Sequence, residues 1–407
     1  MLGEGSQMMT TERTSIRRRL AVRRTAHGPP WGRRKAGHSS IVAPLAATLA
    51  ATLVATAAVR VGVALAKAER DRRSIRLRRS RDRQFALWPV EAPETGLRRI
   101  ALGQLDHAIE LLQGDRELVS AATAVHETRK SLKRLRALVR LLEGELGEEV
   151  FAREDGILHD AGLRLAGARD AEVMLITLDA LIAEHPRKLG RRAGVAKLRG
   201  RLADERRRAS SEAAGDAAGR GEVLGELRAL RNRVEEWSFP HREGIRTVEP
   251  GLLAIYREGA HRRRRAARGK GPKGEAMHQW RKRVKDLRYA AEMLNRRDPH
   301  AGKRRQRGKQ TGAGSDEIRR LARRADELGE LLGDEHDLAL LAAALRDGHS
   351  HAGGRALEVG RGTSKELLRL IAKRRRRLRK RTLAKGERLY RRRPKRFVRR
   401  FRELSRR

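Results

Sequence analysis

The sequence predicts an all-α protein, on three observations. From about residue 95 onward apolar residues recur at helical spacing, period-two alternation is almost absent and few segments are rich in β-branched residues, so a sheet has little support. A stretch reading HETRKSLKRLRAL at residue 126 returns 152 residues later as HQWRKRVKDLRYA, an internal repeat of the kind that helical arrays use. Hydrophobic residues make up 39% of the 407, enough for a sizeable core in a chain whose length allows two or three domains of roughly 100–200 residues.

Taken in order, residues 1–40 carry Arg17 to Arg19, Arg23, Arg24 and Arg33 to Lys35 among Gly, Ser and Pro, and read as a basic disordered arm. Residues 41–66 form an Ala/Thr-rich apolar helix interrupted by Arg60. Its uncharged run, Ile41 to Val59, approaches the ~20 residues that span a bilayer, yet Ala and Thr supply most of it and its drive to insert is weak. Three readings compete: a membrane anchor gripping anionic lipid through its basic flanks; a signal peptide, less favoured because forty residues precede the apolar run although Ala64-Leu65-Ala66 resembles a cleavage site; or a soluble helix whose Leu45, Leu49 and Leu53 stripe packs on a partner, or a poorly ordered extension. Residues 67–94 read as a basic linker. Residues 95–407 are the helical domain, with halves at about 95–240 and 250–407 joined around Phe239 and Pro240; interruptions are expected at Gly215–Gly225 and Gly302–Ser315.

Charge narrows the partner. With 96 Lys and Arg against 51 Asp and Glu, the net charge is +45, which destabilises a compact monomer and concentrates polyanions around it: nucleic acid, an anionic membrane or an inorganic polymer. Most of this charge is terminal, with net +14 on residues 1–87 and net +20 on residues 355–407. Aromatic residues are only 3%, too few for the stacking platforms with which single-strand and RNA-binding modules read bases. The absence of cysteine removes disulfides, thiolate catalysis and Cys-ligated metal centres.

Wound at about 100° per residue, the first motif places His126, Arg129, Lys130, Lys133, Arg136 and Arg140 on one stripe, and Leu132, Leu135, Leu138, Val139 and Leu142 on the opposite face. The second copy does the same, with His278, Arg281, Lys282, Lys285 and Arg288 against Val284, Leu287 and Leu294. Such a helix buries its apolar stripe in a bundle while presenting a column of cations. The column repels itself by a few tenths of a kcal/mol per i,i+4 pair, so two matched copies point to a use for it. A second pair of motifs follows, Leu165 to Asp170 (LAGARD) and Leu332 to Asp337 (LGDEHD).

The doubled H-x-x-R-K-x-x-K-x-L-R motif, with L-x-x-x-R-D after the first copy and L-G-x-x-x-D after the second, resembles the conserved histidine α-helical domain (CHAD) family. Two further segments are similar to family motifs: Tyr256-Arg257-Glu258-Gly259, like Y-R-x-G, and Leu389 to Phe397, like L-Y-x-x-x-P-x-x-F. The resemblance covers about residues 95–407, with Ala166 and Ala260 departing from the family pattern and residues 1–90 outside it. It implies two four-helix bundles related by a pseudo-twofold axis, with the His, Arg and Lys faces lining a basic channel that binds inorganic polyphosphate. The implied contacts are His126, Arg129, Lys130, Lys133, Arg136, Arg140, Tyr256, Arg257, His278, Arg281, Lys282, Lys285 and Arg288. Asp170 and Asp337 are read as partners that orient Arg or Lys side chains or cap a helix.

The chemistry of the residues agrees. Polyphosphate offers charge and no bases, and 79 of the 96 cations are Arg, whose guanidinium fork can bridge two phosphate oxygens. Binding without catalysis or cofactor is therefore expected, in the cytoplasm and in association with polyphosphate granules, or at a membrane if residues 41–66 anchor the chain. Two other functions compete. A metal-dependent phosphohydrolase would draw ligands from Asp334, Glu335 and His336, although the first copy has Arg169 where the second has His336. A basic protein binding nucleic acid non-specifically would use Lys373 to Arg381 and the C-terminal tail; weak binding of this kind is expected alongside polyphosphate.

Overall fold

The computed structural model describes residues 84–405 apart from 90, 115–120, 166, 240–244, 270–273, 297–312, 349–356 and 358. The arm 1–40 and the apolar run 41–66 lie outside the described residues. Among those described there is no strand, and no helix is long and apolar enough to cross a membrane.

Eleven helices of more than one turn make up the described chain: α1 (Pro93–Gln113), α2 (Ala121–Leu141), α3 (Glu148–Arg164), α4 (Gly167–Glu184), α5 (Ala193–Gly215), α6 (Ala217–Glu235), α7 (Glu249–Arg268), α8 (Glu275–Leu294), α9 (Ala313–Asp347), α10 (Arg361–Leu389) and α11 (Pro394–Ser405). Their ends follow local rules. Pro93 opens α1 and Pro250 stands in the first turn of α7, where a missing N–H costs nothing. α7 stops at Gly269, whose φ of 64° is left-handed and suits glycine. The expected interruption over Gly215–Gly225 shrinks to Asp216, because its carboxylate accepts from the Gly219 amide at 2.9 Å and starts α6 at once.

The helices close into two rings of neighbours, α1–α2–α3–α6 and α7–α8–α9–α11. One continuous core fills both. Leu132, Leu135, Leu138, Val139 and Leu142 of the first motif are buried in it, and so are Val284, Leu287 and Leu294 of the second, as the winding requires. The end of the stretch read as a linker also joins this core: Phe85 and Leu87 are buried, and the Leu87 amide donates to the Met293 carbonyl at 2.8 Å. A second core unites α4 and α5 with the C-terminal part of α9 and with α10.

The rings meet where α2 packs on α8. α8 is flanked by α7, α9 and α2, and Trp280, Tyr289, Ala290 and Met293 are buried along with its apolar stripe. Its cations Arg281, Lys285 and Arg288 are therefore half-buried in a seam, while Lys282 is exposed.

Candidate functional site

The seam is built by an antiparallel register between α8 and α9. His278 faces His336 with ring centroids 4.4 Å apart. One turn on, the Arg281 guanidinium lies over Gly333, where an added Cβ would stand 3.2 Å from Nη2, so the glycine of the second motif makes room for the arginine of the first. Glu330 comes next, its charge bearing on Lys285, and Arg288 ends the series in an ion pair with Asp326. The first repeat keeps part of this arrangement: Arg129 donates to the Leu165 carbonyl at 2.7 Å, the position matching Leu332. There, however, the helix is broken between α3 and α4, whereas α9 runs through.

The two predicted columns do not survive as uniform rows. Their C-terminal ends are neutralised. Arg136 grips Asp155 with two 2.8 Å bonds and lies 3.1 Å from His159 Nδ1; Arg140 reaches Asp155 at 3.4 Å and Asp286 at 3.6 Å. Burial pushes the Asp155 carboxyl up, but the hydrogen bonds and charge of Arg136, with Arg140 and Arg283, hold it below the usual carboxylate range. Arg288 is bound by Glu292 at 2.7 Å as well as by Asp326. Lys130 meets Glu127 at 3.1 Å, and His126 is exposed beside the same carboxylate.

The middle of the seam is different. Arg281, Lys282 and Lys285 form no ion pair among the described residues. Half-buried Lys285 is pushed down to about 7, first by burial and then by Arg281 and by Lys133 of the facing α2. Lys282 is lowered by burial, with Arg136 across the seam adding to it. Burial lowers His278, with Lys282, Arg281 and Lys285 contributing; His336 falls to about 3 through burial, His278, Arg281, Lys285 and Arg375. The result is a cluster of positive charge around two imidazoles kept neutral at pH 7.

α10 completes it. Arg375 and Arg379 converge on the buried Glu335, at 2.8 to 3.0 Å, which holds Arg375 beside the histidine pair. The sequence reading missed Arg375 because it lies in the run Lys373 to Arg381, taken as bulk charge. The carboxylates Asp155 and Asp286 were missed because nothing local marks them as partners of the cations.

Tyr256, expected among the phosphate contacts, is instead a core residue. It is fully buried, stacks on Phe397 at 3.9 Å, packs on Tyr390 at 5.2 Å and donates its hydroxyl to the Leu389 and Arg392 carbonyls, each at 3.2 Å. Gly259 faces the Tyr390 ring, which leaves no room for a side chain. The Y-R-x-G and L-Y-x-x-x-P-x-x-F segments thus lock to each other. Arg257 is exposed on α7. Asp337 is half-buried on α9 beside His336; Asp170 stands in the first turn of α4, and its side chain is outside the described residues. Of the residues proposed as metal ligands, Glu335 is committed to two arginines, and among the described residues no group of three His, Asp or Glu is placed to hold a metal ion.

An all-α array with repeated basic motif helices at the junction of its two rings defines the class of protein. A family model for the CHAD domain matches residues 103–346, more than half of the chain, and the chain belongs to that family. Among solved structures it is similar to PptA from Streptomyces chartreusis, with a TM-score of 0.50 and 18% identity over 74% of this chain and 100% of that one. It is also similar to the CHAD domain from the plant Ricinus communis, with a TM-score of 0.44 and 18% identity over 72% of this chain and 87% of that one. No curated protein matches it. At such identity the likeness speaks for the fold alone.

Proposed function

We propose that the chain binds inorganic polyphosphate, without catalysis, in the seam between α2, α8, α9 and α10. One observation carries the reading: Arg281 and Lys285 are half-buried, with Lys282 exposed beside them, and none of the three has an ion-paired carboxylate among the described residues, in a molecule where Arg136, Arg140 and Arg288 all have one. Half-buried cations without an ion-pair partner are unfavourable in the ligand-free chain, and a multivalent anion relieves that cost. An aromatic content of only 3% favours a ligand recognised by charge alone, and membership of the CHAD family implies the same ligand.

Binding of long-chain polyphosphate to the full chain, measured at about 150 mM salt to suppress the terminal charge, tests the reading. Arg281→Gln/Lys282→Gln/Lys285→Gln is expected to weaken binding at least ten-fold; unchanged affinity overturns the site. Duplex DNA at equal phosphate concentration is expected to leave the polyphosphate bound, and displacement would favour a non-specific polyanion binder. Incubation with Mg²⁺ or Mn²⁺ is expected to release no phosphate; turnover abolished by His336→Ala would make the protein a hydrolase. Co-localisation with polyphosphate granules follows from the same reading.

A further inference from the structure

A cleft beside the start of α9 is a second place where cations outnumber their counter-charges. It opens between the start of α9, the end of α10 and α11, and holds about 100 Å³. Its floor is formed by the buried Tyr256 with Leu321, Phe397 and Phe401, and its rim carries Arg320, Arg324, Arg388, Arg391, Arg392 and Arg400. Glu317 is the only carboxylate lining it, and that residue is already taken by Arg392 at 3.1 Å and Arg400 at 2.8 Å. Arg320, Arg388 and Arg391 are exposed and make no ion pair or hydrogen bond among the described residues. Three unopposed guanidinium groups thus come from three places in the chain to one concavity.

The cleft is separate from the α8 seam by helix geometry. At about 100° per residue, Arg320 and Arg324 are turned by roughly 80–180° around α9 from Asp326, Glu330 and Gly333, which face α8. Its volume is small against the roughly 300–1,000 Å³ of pockets that enclose drug-sized ligands, so it suits a compact oxyanion. Guanidinium forks match such an anion in geometry, each able to bridge two oxygens.

We propose that this cleft is a second, independent phosphate site, taking two or three linked phosphate units, either as a free oligophosphate or as the end of a longer chain. Together with the α8 seam it would let one molecule hold two phosphate chains, or two stretches of one.

The experiment maps arginine modification by phenylglyoxal on the full chain, by mass spectrometry, with inorganic tripolyphosphate as probe. Arg320, Arg388 and Arg391 are expected to react at least three-fold more slowly when tripolyphosphate is present, while Arg228, exposed on α6, is unaffected. Long-chain polyphosphate at equal chain concentration forms the second arm: equal protection points to chain ends or free oligophosphate, and stronger protection to internal segments as well, either result supporting the site. Protection no greater than at Arg228 overturns it. The same mapping on Lys285→Gln separates the two sites. Cleft protection that persists in that variant shows independence, and protection lost with it shows that the cleft is an extension of the seam and refutes a second site. As a further check, Arg320→Gln/Arg388→Gln/Arg391→Gln should lose one equivalent of bound tripolyphosphate by calorimetry, and an unchanged stoichiometry counts against the proposal.

Discussion

His278 and His336 set their imidazoles against each other, centroids 4.4 Å apart and planes 34° from parallel, inside a ring formed by Arg281, Lys285 and Arg375. Neither imidazole can take a proton there without meeting both burial and like charge. A polyanion seated in the seam reverses the second of these, so ligand binding and protonation support each other.

The first prediction follows from the sign of that effect. The folded values lie below the unfolded histidine value of about 6.5, that of His336 at about 3. Between about pH 3 and 6.5 the unfolded chain therefore binds more protons, and stability present at pH 7 is lost as pH falls through this window. The melting temperature of the ligand-free protein is expected to drop by several degrees between pH 7 and 5, and His336→Asn to flatten the drop. Parallel pH profiles for the two proteins would show that the pair does not titrate with folding.

Lys285 carries a second prediction. Its folded value of about 7 stands against about 10.4 unfolded, so ionisation of this group opposes folding below pH 10 and stability rises with pH between 7 and 10. Lys285→Met keeps the stem that packs in the seam and removes the charge. At pH 7 it is expected to stabilise the chain by roughly 1 kcal/mol while weakening polyphosphate binding several-fold, a trade of stability against function. Thermal melts and binding isotherms on the same preparation check it; a variant that loses both stability and affinity would indicate a packing role.

Which parts were legible in the sequence depends on whether their cause is local. The apolar face of α2 and the cation stripe of α8 follow from residue spacing alone, and both copies of the motif could be read by winding them. The difference between the copies could not. It arises because α8 is flanked by three helices and because Asp155, Asp286 and Asp326 arrive from elsewhere in the chain to neutralise some cations and not others. Tyr256 was misplaced for a related reason: a tyrosine beside an arginine in a basic protein resembles a ligand contact until Phe397 and Tyr390, more than a hundred residues on, close over it. Asp216 shows the opposite case, where one capping side chain kept a glycine-rich stretch helical.

Asp155 tests whether pairing limits binding. Asp155→Asn removes the carboxylate that holds Arg136 and Arg140, at a cost of about 1–3 kcal/mol for a partly buried bidentate pair. Arg136 is then free to turn to the seam, while Arg140 keeps Asp286, and polyphosphate affinity is expected to rise two- to five-fold in the folded protein. Because the folded Asp155 value lies below the usual range, its contribution is present above about pH 4 and lost below it, so the stability gap between wild type and variant should close on acidification. A variant with reduced affinity would mean that Arg136 works only when held by Asp155.

Tyr256 separates packing from ligand contact. Its ring is enclosed by Phe397 and Tyr390, and burial pushes its hydroxyl up to about 12, so it remains a neutral donor to two carbonyls throughout the physiological range. Tyr256→Phe is expected to cost about 1–2 kcal/mol, through the two carbonyls left without their donor. Tyr256→Ala is expected to cost about 3–5 kcal/mol, through the cavity left beside Phe397. Polyphosphate affinity of Tyr256→Phe, measured where it remains fully folded, should match the wild type. A ten-fold loss of affinity in that variant, with its melting temperature preserved, would make the Tyr256 hydroxyl a phosphate contact, through the cleft that its ring lines.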